Sequence, residues 1–208
     1  MSNSSFERPD RIQFEDADYD FSTLAIRAGQ QRTDEGEHND PIYPTSSFVY
    51  SSAREAAARF SGDEEGNIYS RFTNPTVIAF EKRMAALEGG DRAVATSSGM
   101  AAILSTCIAL LQQGDHVVCS QSVFGSTISL FEKYLSRTGI SVTFVDPTQV
   151  SAWQAAVTPK TRMFFMETPS NPLSELTDIE AVSALAHSHD ALLVVDNCFC
   201  TPALQQPL

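Results

Sequence analysis

"RAVATSSGMAAILSTCIALLQQGDHVVCS", residues 92–120, decides the fold. Its opening, "RAVATSS", reads as a short strand. An almost wholly apolar helix, "GMAAILSTCIALLQQG", follows and stops at Gly114. "HVVCS" is a second strand, apolar without alternation, as a strand covered on both faces should be. The pattern repeats toward the C-terminus. "FGSTISLFEKYLSRTG" reads as a helix, "SVTFVD" as a strand, "VSAWQAAVT" as a helix and "RMFFMET" as a strand. "TDIEAVSALAHSHD" is a helix with Thr177 as its cap, and "ALLVVD" is a further strand. Apolar strands separated by helices predict an α/β fold, a mostly parallel sheet with helices on both faces.

Toward the N-terminus, "NPTVIAFEKRMAALEGG" places Val77, Phe80, Met84 and Leu87 at helical spacing and closes on Gly89-Gly90. Residues 1–65 are different in kind, polar and acidic with little sustained periodicity. "PIYPTSSFVY" is held extended by its prolines, "SAREAAARF" is a short helix capped by Ser52, and "SGDEEGN" is a loop. This composition predicts an N-terminal arm over residues 1–65 that packs on a neighbouring subunit. A larger domain begins at residue 66.

The composition excludes several function classes. Of the 208 residues, 42% are apolar and 19% charged, an ordinary globular balance. A net charge of −12 leaves no basic excess to displace counterions from phosphates or to meet an anionic membrane surface. No nucleic acid and no membrane are expected as partners. The opening "MSNSSFERPDRIQFEDADYDF" has neither the basic start nor the apolar core of a leader, so a cytoplasmic protein is expected. Cys107, Cys119, Cys198 and Cys200 sit in apolar stretches, the usage of a reducing compartment. The Cys198-x-Cys200 pair lacks a second pair at ligand spacing, so no metal is expected. His38, His116, His187 and His189 are scattered and read as surface residues.

In open α/β sheets, ligands bind beyond the carboxyl ends of the strands. Polar residues gather there at Thr96–Met100, Ser120–Ser126, "ETPSNP" (Glu167–Pro172) and "DNCFCTP" (Asp196–Pro202). In "TSSGMAAIL" a strand runs through Ser98 and Gly99 straight into a helix, whose free first-turn N–H groups favour an anion. A plain capped helix start explains the same residues. There is no G-x-G-x-x-G after a strand and no Walker motif, so one phosphate suits the site better than a pyrophosphate. Asp196 ends the apolar run Leu192–Val195. It either caps the following turn or waits as a buried anion for a protonated nitrogen. A carboxylate in contact favours the protonated form of a pyridine nitrogen by about 1–3 pH units, the state pyridoxal phosphate needs as an electron sink.

"YSRFTNPT" (Tyr69–Thr76), "ATSSGMAAI" (Ala95–Ile103), "ETPSNP" and "VVDNCFCTPALQQPL" (Val194–Leu208), in this order, resemble the cystathionine γ-synthase family. These are the fold-type I, aspartate aminotransferase-like, pyridoxal-phosphate enzymes of Cys/Met metabolism. The resemblance runs from about Phe21 onward. Within the family, "SVFGSTISLFEKY" and "DNCFCTPALQQPL" look closest to the sulfhydrylases that act on O-succinylhomoserine.

The resemblance implies roles. Gly99 and Met100 would bind the coenzyme phosphate through backbone N–H groups, with Ser98 beside them. Asp196 would pair with the pyridine nitrogen. Asn171 would lie near O3′ of the coenzyme and the substrate carboxylate. Tyr69 and Arg71 would reach the phosphate of a neighbouring subunit's coenzyme, giving shared sites in a homo-oligomer, a tetramer of paired dimers. Phe124 would stack on the ring where most of the family carries Tyr. Phe keeps the stacking and cannot ionise, so no acid–base role passes to it.

The resemblance also implies a lysine bonded to the coenzyme. Lys82, Lys133 and Lys160 are the only lysines, and none stands in the family's Ser-x-x-Lys setting. That segment is expected beyond Leu208, so the chain is read as the first part of the large domain, without its remainder or the C-terminal domain. Alone it is expected to be inactive. The activity implied for the whole is replacement of succinate on O-succinyl-L-homoserine by sulfide, giving L-homocysteine for methionine biosynthesis. Cystathionine γ-synthase or γ-lyase chemistry is the alternative within the family. A non-catalytic α/β binding module is the alternative outside it.

Overall fold

The computed structural model describes residues 19–208. Most of the polar opening segment lies outside the described residues. The chain forms two compact units that meet in sequence at Val94 and Ala95.

The first unit contains α1 (Phe21–Arg27), α2 (Ala53–Ser61) and α3 (Pro75–Glu88). Ser52 caps α2 as the sequence predicts, accepting from the Glu55 N–H at 3.1 Å. Asn74 caps α3, Pro75 opens it, and Gly89 ends it in a left-handed conformation at φ 71°. The predicted apolar face of α3 is only partly used. Leu87 is buried, whereas Val77 and Phe80 are 40% and 54% exposed. The other buried residue of the helix is the small Ala85. At Gly29, just past α1, φ is +74° and an added Cβ would come within 2.6 Å of the Ala79 carbonyl on α3. Only glycine satisfies both the torsion and the approach. Arg83 of α3 ties the segment down, donating to the Ala28 carbonyl at 2.9 Å and pairing with Asp40 at 2.7 Å.

The second unit runs α4 (Gly99–Leu110), β1 (His116–Ser120), α5 (Gly125–Ser129), β2 (Ser141–Val145), α6 (Val150–Ala155), β3 (Thr161–Glu167), α7 (Ile179–Ser188), β4 (Leu192–Asp196) and α8 (Thr201–Leu204). Its four strands are all parallel, in the order β2-β1-β3-β4. Alternation along the strands divides the core. Val117, Cys119, Met163 and Phe165 pack on one face with Ile103 and Cys107 of α4 and with Leu130 and Phe131. Val118, Phe164 and Met166 pack on the other with Trp153 of α6 and Val182 of α7. The predicted parallel sheet, covered on both faces, is therefore present.

Four expectations are corrected. "RAVATSS" forms no ladder: Ala93–Thr96 lies in no strand, and Val94 is 83% exposed. A strand exists only where a run of N–H and C=O groups forms a ladder with a neighbouring strand, and apolar character alone does not build one. The helix expected over "FGSTISLFEKYLSRTG" changes pitch, from α5 to a π turn at Leu130–Tyr134 and a 3₁₀ turn at Leu135–Thr138. Leu130 and Leu135 are both buried and five residues apart, a spacing that i→i+5 bonding accommodates and a uniform α-helix does not. Thr177 does not cap α7; Asp178 does, accepting from the Ala181 N–H at 3.0 Å. His116 is buried rather than on the surface. Its two ring nitrogens bond the hydroxyls of Thr161 at 2.8 Å and Thr143 at 2.9 Å.

Candidate coenzyme site

Strand order reverses between β1 and β3: β2 continues outward on one side of β1, and β3 and β4 lie on the other. The loops leaving β1 and β3 therefore diverge and leave a crevice at their carboxyl ends. Phe124 follows β1 and Glu167 ends β3, and the Glu167 Oε2 accepts the Phe124 N–H at 2.7 Å across this gap. The Phe124 ring is 48% exposed. Phe124 and Met100 line one open cleft of about 550 Å³, together with Gly125, Ser126, Leu130 and Tyr134.

Glu167 and Asp196 are partners in the parallel register of β3 and β4. Side chains alternate along a strand, so Glu167 shares the face of Met163 and Phe165, and Asp196 that of Val194. Both acids thus point to the α4 face of the sheet. Glu167 is 3% exposed. Burial pushes its carboxyl up, the N–H groups of Phe124 and Asn171 pull it down, and the charge of Asp196 pushes it up again. Asp196 is half-buried and accepts the Cys198 N–H at 3.1 Å. Partial burial and then the same two acids raise the exposed Cys198 thiol.

At the N-terminus of α4, the Ser98 hydroxyl accepts the Ala101 N–H at 3.1 Å and the Ser98 carbonyl accepts the Ala102 N–H at 3.0 Å. The first-turn donors left are those of Gly99 and Met100. Beside Gly99 nothing lies within 4 Å of where a Cβ would sit, so an anion has room to approach the backbone. Asn171 lies in the loop after β3, which is braced internally: Ser170 donates its N–H to the Glu175 carbonyl, and its hydroxyl accepts the Glu175 N–H, both at 3.0 Å. The Glu175 carboxylate reaches back to the Ser122 hydroxyl at 2.5 Å, linking the loops after β1 and β3. Gln205 closes the β4 end, donating to the Thr168 carbonyl and the Asn197 side chain at 2.8 Å each.

The second unit therefore carries anion donors at α4, an exposed aromatic plate and a half-buried acid. These residues fit a coenzyme with a phosphate, a flat ring and a basic ring nitrogen. Lys160 precedes β3, at the opposite end of the sheet from Asp196. Tyr69 and Arg71 belong to the first unit, where the Arg71 guanidinium lies 4.3 Å from the Phe72 ring centre and 5.8 Å from that of Tyr69. Among the described residues, no group of three or more His, Cys, Asp or Glu side chains is placed to hold a metal. Sequence reasoning gave Glu167 no role of its own. The available signal was "MFFME", an apolar run delivering one acid, the same pattern that singled out "LLVVD".

The sequence model of the Cys/Met metabolism PLP-dependent enzymes matches residues 22–208, and the chain belongs to that family. It is 60% identical over 188 residues to an O-succinylhomoserine sulfhydrylase of Pseudomonas aeruginosa, an alignment covering 90% of this chain and 47% of that protein. It is 45% identical to an L-methionine gamma-lyase of Fusobacterium nucleatum, over 91% of this chain and 48% of the relative. Against an O-acetyl-L-homoserine sulfhydrylase of Corynebacterium glutamicum the identity is 46%, over 90% and 44%. Among solved structures, metB from Corynebacterium glutamicum superposes with a TM-score of 0.85 at 38% identity, covering 93% of this chain and 49% of that one. An O-acetylhomoserine (thiol)-lyase-like protein from Campylobacter jejuni, solved with a pyridoxyl-lysine phosphate, gives 0.85 at 33% identity, over 91% and 47%. The chain spans about half the length of the curated relatives it matches.

Proposed function

We propose that the chain forms the coenzyme face of an enzyme that replaces succinate on O-succinyl-L-homoserine with sulfide, giving L-homocysteine and succinate. The observation that carries this reading is the 60% identity to the Pseudomonas aeruginosa sulfhydrylase over 188 residues, 90% of this chain. When bound, pyridoxal phosphate supplies an electron sink that lets protons leave the carbons next to the amino group.

The chain's own residues prepare that chemistry. The Gly99 and Met100 N–H groups take the phosphate, with Ser98 completing the helix start. Asp196 keeps a proton on the ring nitrogen, because an adjacent carboxylate favours the charged form. Phe124 covers one ring face and excludes water from it; lacking a hydroxyl, it leaves proton transfer to other groups. Asn171 orients the ring hydroxyl and the substrate carboxylate. Tyr69 and Arg71, on the arm side of the chain, donate to the phosphate in a neighbouring subunit, which makes each site a property of a homo-oligomer. Arg71 suits this role as a planar, permanently charged fork. The covalent lysine is assigned to the part of the protein beyond this chain. Methionine biosynthesis in the cytoplasm is the setting this reading implies.

The test is turnover by the intact enzyme with sulfide and either O-succinyl- or O-acetyl-homoserine, reading homocysteine. A kcat/KM at least about tenfold higher for the succinyl ester, or about 1.4 kcal/mol of discrimination, is expected. Faster release of methanethiol from methionine than of homocysteine from either ester would replace this reading with that of a lyase.

A further inference from the structure

We propose that Glu167 is the positioning residue of this site, holding the Phe124 ring at a fixed place relative to the Asp196 carboxylate. The proposal rests on the coenzyme roles given to Phe124 and Asp196 above.

Three observations converge on Glu167. First, it sits at the switch point itself, buried, on the same sheet face as Asp196 and in register with it. Second, its carboxylate accepts the backbone N–H of Phe124 at 2.7 Å, which fixes the start of the segment that carries the ring. Third, the segment it holds has little stiffness of its own. Phe124 starts a five-residue helix with no side-chain cap, and that helix opens at once into a π turn. The angle at which the Phe124 ring faces the crevice is therefore set by a bond to the neighbouring strand rather than by helix α5.

A stability role alone does not explain an acid here. A glutamine of the same shape would accept an N–H without facing Asp196 as a second negative charge. Two buried-side carboxylates on adjacent strands oppose folding, and such costs concentrate where function needs them. What the acid adds is charge: a carboxylate holds the Phe124 N–H with a shorter, stronger bond than a neutral amide of the same shape would.

The experiment uses the intact enzyme and pyridoxal phosphate as the probe. E167Q, F124L and the double variant are compared for coenzyme dissociation constant, for the circular dichroism of the bound coenzyme and for melting of the apoenzyme. E167Q and F124L should each weaken coenzyme binding about tenfold and shrink the dichroic band, a loss near 1.4 kcal/mol. The double variant should lose no more than about twofold beyond the weaker-binding single one, because both changes act through one ring. E167D, one methylene short of the Phe124 N–H, should resemble E167Q. Apoenzyme melting should move by less than about 3 °C. Unchanged binding and dichroism in E167Q, fully additive losses, or weaker binding matched by a collapse of apoenzyme melting would each overturn the proposal. If F124L itself binds normally, the stacking role fails and Glu167's role fails with it. If only F124L is impaired, Glu167's role fails alone. Neither result depends on which homoserine ester is turned over.

Discussion

The two ends of the sheet solve one problem in opposite ways. Both place polar residues inside an apolar layer. At the amino end, polar groups find partners without a second charge beside them: His116 bonds Thr161 and Thr143, Thr161 also accepts the Thr158 N–H at 2.9 Å, and the acid Asp115 accepts the Gln112 N–H at 2.8 Å. At the carboxyl end, two acids stand in register, and Glu167 is pushed up by burial and by Asp196. The amino end is complete as it stands. The carboxyl end carries a like-charge conflict that a cationic ring would relieve. A fold builds such a conflict where it binds something.

The comparison breaks most visibly at Asp196. D196N in the intact enzyme should lower kcat about 100-fold or more and weaken coenzyme binding, since the ring nitrogen loses the charge that holds its proton. A carboxylate partner is worth about 1–3 pH units, or 10- to 1000-fold. Apoenzyme stability near neutral pH should hold or rise, because Glu167 is freed from its charged neighbour. Melting of the apoenzyme separates the two effects, and a large fall in melting temperature with unchanged coenzyme affinity would reverse the assignment of the two ends.

The amino end should behave in the opposite manner. H116A leaves the Thr161 and Thr143 hydroxyls without their buried partner and should destabilise by about 1–3 kcal/mol. Coenzyme affinity should not change. The two ends also carry opposite pH dependence. Burial lowers the His116 value below 6.5, so the unfolded chain binds the extra proton, and stability is lost as pH falls below 6.5 through the folded value. Glu167 is raised above 4.5, so the folded state binds the extra proton. Its contribution is present below 4.5 and lost as pH rises through the raised value. Apoenzyme melting against pH should lose its acid-side slope in H116A and its rising-pH loss in E167Q.

This contrast also marks what the sequence could show. The alternation of apolar runs fixes the strand positions: β1, β2 and β4 lie within their predicted segments, and β3 begins one residue before its own, at Thr161. "DNCFCTP" and "TSSGM" are legible because each follows an apolar run with polar residues and a turn. His116 was misread because histidines scattered along a sequence look solvated, and only strand pairing reveals the two threonines that enclose this one. Glu167 was passed over for a related reason. Its meaning comes from register with Asp196 and from a bond to a residue 43 positions away. The "RAVATSS" strand failed because apolar character alone does not build a ladder. The π turn after α5 was invisible because helical periodicity allows Leu130 or Leu135 to face the core, while the structure buries both.

The smallest effects come from two helix N-termini at the carboxyl end of the sheet. α7 is closed by an acid: Asp178 caps it and Glu180 sits in its first turn. α4 is capped by the neutral Ser98 and has no acid in its first turn. The positive end of the helix dipole is thus neutralised at α7 and kept for a ligand at α4. S98D should test this directly. Asp caps a helix as well as Ser does, so apoenzyme stability should change by less than about 0.5 kcal/mol. The added carboxylate would sit where the coenzyme phosphate is expected, and affinity for pyridoxal phosphate should fall about tenfold, or 1.4 kcal/mol. D178A should do the converse, costing about 1 kcal/mol of stability while leaving coenzyme affinity unchanged. Calorimetry on the apoenzymes and coenzyme titration of each variant read both quantities. If S98D binds the coenzyme normally, the α4 terminus is an ordinary capped start, and the phosphate must find its donors elsewhere.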